Sequence, residues 1–353
     1  MANSSLYSFL FLSCLVLALA TKAQSQAKPP IVNGLSWSFY ESSCPSVESI
    51  VTKHLKSVFK KDPGQAPGLL RIFFHDCFVQ GCDASILLDA IPPSNQSERD
   101  SRSNGGIRPE AIKTIDDIRA LVHKKCGRVV SCADIVALAG RDAVVLTGGP
   151  SFPVPLGRRD SLTLSFAETG NLPSPFNNTA GTISTFAAQK GQKFDVTDVV
   201  ALSGAHTFGV SHCSSFSDRL SGESPAPIDQ TLLKNLKATC PSSNSPNTAN
   251  LDIRTPNKFD NKYYINLMNR QGVFTSDQDL FSVAQTKKLV QSFALDEKLF
   301  FDKFANAMIK MSQLRVLTGK QGEIRAKCNV RNSGKKSELA SVVEEVFEVA
   351  QQF

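Results

Sequence analysis

The chain has 353 residues, 41% of them apolar and 20% charged, which suits one large domain or two lobes around a shared core and excludes a disordered or fibrous chain. A net charge of +7 is mildly basic. It contains no Lys/Arg block of the kind that tracks phosphates, so nucleic acid is not an expected partner.

Residues 6–20 are nearly all apolar and run into Ala20-Thr-Lys-Ala23. An apolar core ending in small residues predicts a secretory signal over 1–23, cleaved after Ala23 or, alternatively, after Ala20. The stretch is short for a membrane anchor, and no other run is long and apolar enough to span a bilayer, so stable membrane insertion is not expected. Of nine cysteines, Cys14 falls inside that signal. The remaining Cys44, Cys77, Cys82, Cys126, Cys132, Cys213, Cys240 and Cys328 form an even set, as four disulfides of a secreted protein would. Spacing leaves about 105 pairings open, and the lack of any CxxC pair argues against zinc. Asn95-Gln-Ser97 and Asn177-Asn-Thr179 are glycosylation sequons, candidate acceptors in Pro- and Ser-rich stretches.

Helical periodicity dominates the chain beyond the signal. Apolar Val47, Ile50, Val51, Leu55, Val58 and Phe59 share a face until Asp62-Pro-Gly stops the helix. A second helix starts with Pro109 in its first turn and runs to Gly127. Ser131 is a cap and Asp134 a first-turn acid for a third, ending near Gly148-Gly-Pro150. Further helices are predicted over 197–205, 261–271 and 283–313 with one break, and long loops over 87–108, 148–178 and 214–258. Strand alternation is scarce, so the expectation is an all-α fold. The tail 329–353 turns polar and then carries a stripe of Leu339, Val342, Val343, Val346, Phe347 and Val349. A docked helix, a removable sorting extension and a disordered tail all fit it.

Five histidines are present. His54 and His123 sit among lysines and read as solvated, and His212 as a loop residue. Arg71 and His75, in Leu69-Leu-Arg-Ile-Phe-Phe-His-Asp-Cys-Phe78, lie four residues apart and share a helix face. A cation beside a proton acceptor suits a site where an anion must first lose a proton, and Phe73, Phe74 and Phe78 would keep it dry. A packed histidine beside a salt-bridged arginine fits the pattern equally well. Asp76, Asp83 and Ser85 around a Gly-containing turn offer hard oxygens suited to calcium, without EF-hand spacing. His206, in Ala201-Leu-Ser-Gly-Ala-His-Thr-Phe-Gly209, has small neighbours that would let a flat cofactor approach; a buried, satisfied histidine fits as well.

Together these segments resemble the class III plant secretory peroxidases. The resemblance runs from about residue 39 to Cys328. It rests on Phe39-Tyr-Glu-Ser-Ser-Cys-Pro45, the stretch 71–85, Val130-Ser-Cys-Ala-Asp-Ile135, Val154-Pro-Leu-Gly-Arg-Arg-Asp160, residues 202–209, Asp252-Ile-Arg-Thr-Pro256 and Phe259-Asp-Asn-Lys-Tyr-Tyr264, all in order. It implies the haem peroxidase fold, ten or more helices in two lobes with haem between them. It also implies a haem b (iron protoporphyrin IX) cofactor, two Ca2+, and oxidation of phenolic or other small aromatic donors by hydrogen peroxide in one-electron steps. A secreted monomer of the cell wall is implied, with the vacuole as alternative through the tail.

By the same resemblance His206 is the haem axial ligand, with Asp277 accepting its other N–H. His75 is the acid–base residue, Arg71 the charge stabiliser, and Asn104 the group orienting His75. Glu98 continues that link towards calcium, Phe74 limits access, and Pro173 marks the donor site. One calcium would take Asp76, Asp83, Ser85 and the carbonyls of Val79 and Gly81. The other would take Thr207, Asp252, Thr255, Asp260 and the Lys258 carbonyl. The implied disulfides are Cys44–Cys126, Cys77–Cys82, Cys132–Cys328 and Cys213–Cys240. Departures from the family are the lengthened Arg108-Pro-Glu-Ala-Ile-Lys-Thr-Ile-Asp116, Phe152 where Trp is usual, and the longer tail; the only Trp is Trp37. Two rival readings are a haem-free, calcium-stabilised binding protein and a metal hydrolase built on His75 and Asp76.

Overall fold

The computed structural model describes residues 30–242 and 244–332. The expected signal over 1–23, Cys14 and the apolar stripe over 339–349 lie outside the described residues. Twelve α-helices are described, with one two-stranded antiparallel sheet.

Helices α1 (Val47–Lys61), α2 (Gln65–Val79), α3 (Pro109–Cys126) and α4 (Cys132–Leu146) pack on one another. Helix α1 buries Val47, Val51 and Leu55 and shows its polar face to water, as its apolar spacing predicts. Pro109 stands at the first position of α3, where its missing N–H costs nothing. The Ser131 hydroxyl caps α4 by accepting from the Asp134 N–H at 3.0 Å. Helix α4 is buried over almost its whole length. It can lie flush against α2 because residue 140 is glycine: a Cβ there would fall 2.7 Å from the Phe73 ring.

Five further helices, α5 (Thr179–Ala187), α6 (Val196–Ser203), α7 (Ser217–Ser221), α8 (Gln230–Thr239) and α9 (Lys262–Met268), precede α10 (Thr275–Ser282), α11 (Ala284–Leu295) and α12 (Glu297–Met311). Helices α6 and α9–α12 pack on one another. Strands β1 (Val210–His212) and β2 (Thr248–Asn250) pair just after the His206 segment. The break expected within 283–313 falls at Asp296, whose carboxylate caps α12 by accepting from the Leu299 N–H.

Several expectations need correction. Helices α5 and α10 are not predicted by periodicity; α5 lacks an apolar stripe and starts from its Asn178 cap, while α10 is short and polar. The stretch 214–258 holds α7, α8 and β2, and 87–108 and 148–178 hold short 3-10 turns. His54 is half-buried rather than solvated, with its Nε2 covered and without a hydrogen bond.

All four implied disulfides are formed: Cys44–Cys126, Cys77–Cys82, Cys132–Cys328 and Cys213–Cys240. The interior also holds a fully buried ion pair, Arg158–Asp134 at 2.8 Å; Asp134 accepts in addition from the Tyr40 hydroxyl and the Gly157 N–H. Asn329 and Asn332, the start of the tail, are tied to Asp89 and to the Ile324 carbonyl. The sequon residue Asn95 is exposed, and Asn177 is partly exposed just before α5.

Candidate functional site

Helix α2 places Arg71 and His75 one turn apart, as their spacing predicts. The Arg71 Nε donates to His75 Nε2 at 3.3 Å, while its Nη2 is anchored on the Ser103 and Gly105 carbonyls at 3.2 and 3.0 Å. On the other side of the ring, His75 Nδ1 lies 2.6 Å from Asn104 Oδ1. The amide orientation of Asn104 is set by its Nδ2, which donates to the Glu98 carbonyl at 2.7 Å. Asn104 therefore presents an acceptor, His75 carries its proton on Nδ1, and Nε2 keeps its lone pair. Burial above all, then the Arg71 charge, lowers the His75 imidazole to about 3, against the raising effect of Asn104. Burial also lowers Arg71, to about 10, so it stays a cation at neutral pH. Phe74 stands edge-on to His75, with ring centroids 5.4 Å apart, and packs on Phe78.

Around the loop after α2, Asp76 accepts from the Ala84 and Ile86 N–H groups at 3.0 and 3.4 Å. Burial raises its carboxyl well above the usual range, with Asp83 adding to it. Burial raises Asp83 to about 6 and Glu98 to about 7. The Ser85 hydroxyl faces the Asp83 and Glu98 carboxylates yet forms no well-shaped hydrogen bond, and Glu98 Oε2 is buried without a partner. Such a pocket of crowded, unsatisfied oxygens is what a divalent cation would stabilise. The Val79 carbonyl accepts from the Arg315 guanidinium, and Gly81 takes φ +138, a conformation open to glycine. The link from Asn104 runs to the Glu98 backbone carbonyl rather than to its carboxylate, which instead accepts from the Ser165 N–H at 2.8 Å.

His206 sits in the 3-10 turn Gly204–Thr207 that ends α6. Its Nδ1 lies 2.7 Å from Asp277 Oδ1, while its Nε2 makes no hydrogen bond among the described residues. Its side chain is 37% exposed while Asp277 is 3% exposed, so the ring has a fixed inner edge and an open outer one. The chain after it touches α2 and the loop before α3. A Cβ at Gly209 would fall 2.8 Å from Pro67 in α2, and one at Gly106 would fall 2.6 Å from His212. The two histidine segments thus meet along one edge.

Next to His206, the Thr207 hydroxyl lies 3.3 Å from both the Asp252 and Asp260 carboxylates, and the Thr255 hydroxyl donates to Asp260 at 3.1 Å. Asp260 Oδ2 is buried without a hydrogen bond, and Lys258 reaches to within 3.8 Å of it. No three His, Cys, Asp or Glu side chains converge as a metal cluster among the described residues. Each expected calcium set has only two carboxylates, the rest being hydroxyl and carbonyl oxygens, so neither set requires such a cluster.

Pro173 is half-buried, two residues before Pro175, whose carbonyl accepts from the Ser276 N–H at the start of α10 at 3.0 Å. The short turn Ala167–Asn171 just before it packs against α2 and the Asn104 turn, so this segment runs between the His75 side and the start of α10. Sequence reasoning misses the roles of Tyr263, which donates to Asp277, and of Arg325, whose buried guanidinium holds the Ala84, Ser161 and Cys328 carbonyls around the Asp83 loop. Neither carries a local signal, because their partners are remote in sequence.

Residues 51–296 match the family described as Peroxidase. Peroxidase 12 of Arabidopsis thaliana is 55% identical over 323 residues, 91% of this chain and 88% of the relative. The cationic peroxidase SPC4 of Sorghum bicolor is 49% identical over 92% of this chain and 91% of its own length. Peroxidase 38 of Arabidopsis thaliana is 44% identical over 90% and 92%.

Proposed function

Since this chain belongs to the peroxidase family, and is a peroxidase that uses haem, hydrogen peroxide and small donors, we propose that it is a secreted haem b enzyme of the class III plant type that oxidises phenolics. The net reaction is H2O2 + 2 donor-H → 2 donor radicals + 2 H2O. The observation that carries the reading is the opposed tethering of two histidines. His206 has Nδ1 on a buried carboxylate and Nε2 unengaged; His75 has Nδ1 on an amide and Nε2 beside a guanidinium.

The donor set fits a haem: a histidine whose tautomer is set by Asp277 offers a lone pair at Nε2. Bound there, haem supplies the two-electron reduction of peroxide and takes one electron from each of two donors. The protein supplies the proton movements. Neutral His75 accepts the proton of incoming peroxide at Nε2 and returns it to the departing oxygen. Arg71, held by two carbonyls, faces the negative charge that grows as the O–O bond breaks. Asn104 keeps the His75 lone pair aimed at the substrate, and Phe74 restricts what can approach. Donors would then be met at the rim near Pro173.

Asp76, Asp83, Ser85 and the Val79 and Gly81 carbonyls would hold one Ca2+. Thr207, Asp252, Thr255, Asp260 and the Lys258 carbonyl would hold the second. The orphaned oxygens of Ser85, Glu98 and Asp260 support both. Four disulfides support an oxidising destination, and no described helix is long and apolar enough to cross a membrane. Secretion through residues 1–23, glycosylation at Asn95 and Asn177, a monomeric state and a role in cross-linking wall phenolics complete the reading; residues 329–353 would direct the vacuolar alternative.

Steady-state oxidation of a phenolic donor tests it. The purified holoprotein should turn over only with peroxide present, and His206→Ala should abolish turnover. Peroxide-independent oxidation, or a fully active His206→Ala, would reject it.

A further inference from the structure

The carboxylate behind His206 serves a second donor. Tyr263 lies in α9 with 2% of its surface exposed, and its hydroxyl donates to Asp277 Oδ1 at 2.9 Å. That is the same oxygen that meets His206 Nδ1 at 2.7 Å. The other oxygen, Oδ2, accepts from the Phe274 N–H at 3.2 Å. The Tyr263 ring also stands edge-on to the His206 ring, with centroids 6.3 Å apart. Its neighbour Tyr264 is equally buried but donates elsewhere, to the Val200 carbonyl at 2.9 Å. Burial, then the Asp277 charge, raises the Tyr263 phenol well above its usual range, so it remains a donor at every working pH.

Two donors on one carboxylate oxygen compete for the same negative charge. The more of it Tyr263 takes, the less Asp277 draws the Nδ1 proton away from His206. We infer that Tyr263 is a positioning residue which, by sharing Asp277 Oδ1, limits the anionic character of the His206 imidazole and so the strength of its bond to a bound iron. The inference rests on His206 being the haem ligand. It adds to that reading a third member whose contribution opposes that of the carboxylate.

The iron–histidine stretching vibration of the ferrous holoprotein, read by resonance Raman, tests this without recourse to activity. Tyr263→Phe removes one hydroxyl and leaves Asp277 with its other two donors, so no buried group is orphaned. It should raise the frequency and make the iron reduction potential more negative. Asp277→Asn should do the opposite in both, and Tyr264→Phe should move neither. Should Tyr263→Phe fail to hold haem, 3-fluorotyrosine incorporated in a Tyr264→Phe background gives the complementary result. The fluorinated phenol is a stronger donor of nearly the same size, and the frequency should fall. A frequency that responds to Asp277→Asn but not to change at residue 263, or that shifts there in the Asp277→Asn direction, overturns the inference and leaves the ligand assignment standing. A preparation with no iron–histidine band, or one indifferent to Asp277→Asn, overturns the ligand assignment and the inference together.

Discussion

On the proposed assignment, replacing His75 with leucine removes the group that moves a proton at the peroxide. The side chain is 8% exposed, so leucine fills a largely dry space of similar size. What it leaves behind is Asn104 Oδ1 without the donor that stood at 2.6 Å. An orphaned buried acceptor costs about 1–3 kcal/mol, a minor part of the roughly 5–15 kcal/mol that holds a domain together. The fold and the haem should therefore persist. The rate constant for reaction with peroxide should fall by about 10^2–10^4-fold, the share of general acid–base catalysis. Arg71→Leu should cost about 10^2–10^3-fold. The double variant should lose less than the product of the two, because Arg71 Nε and His75 Nε2 are 3.3 Å apart and act on one bond. Stopped-flow absorbance at the haem Soret band, over a series of peroxide concentrations, gives all three constants. A His75→Leu rate within about threefold of the parent, far short of the acid–base share, would refute the assignment.

The same geometry sets other outcomes. Because burial first, then Arg71, lowers the His75 imidazole to about 3 from 6.5, it stays neutral and able to accept a proton over most of the acid range. The peroxide rate should hold nearly level as pH falls below 6.5 and drop only near 3; a drop centred on 6.5 would contradict the buried geometry. The same depression means that the unfolded chain protonates first, so this group destabilises the fold progressively from about 6.5 downwards. Asp134→Ala strands Arg158 in a site with no exposure on either partner, and thermal or denaturant melting should show a loss of about 3–5 kcal/mol. Opening Cys132–Cys328, which closes a span of 196 residues, should cost about 5 kcal/mol on the chain-entropy account, read as a lower melting temperature in the Cys132→Ser/Cys328→Ser variant. Calcium chelation should lower the melting temperature and alter the haem spectrum; added Ca2+ should restore both, and indifference to chelator would remove both cation sites.

The three candidate residues stand out locally in the sequence, although a packed histidine fits each pattern as well and their proposed roles come by resemblance. Arg71 and His75 are one helical turn apart, and His206 stands among small residues. Their surroundings are legible only by resemblance. Asn104 and Asp277 reach their histidines across 29 and 71 residues of chain, a distance that periodicity does not bridge. The roles of Tyr263 and Arg325 stay hidden for the same reason, with nothing in their neighbourhoods to mark the buried carboxylate or carbonyls they serve. Helices marked by an apolar stripe, a first-turn proline or a capping serine, such as α1, α3 and α4 in turn, can be read from the chain. Helices α5 and α10 cannot, since tertiary contacts rather than amphipathicity hold them: the Thr179 N–H that opens α5 donates to Asp279 of α10 at 2.6 Å.

The most direct test of a haem held by His206 and served by Arg71 and His75 is optical titration of the purified chain with haem in the presence of Ca2+. One equivalent should bind and give a Soret band that shifts on adding peroxide, and His206→Ala should lose that saturable binding. A chain that stays colourless with haem supplied, or one whose His206→Ala variant binds and responds to peroxide as the parent does, would contradict the account at its centre.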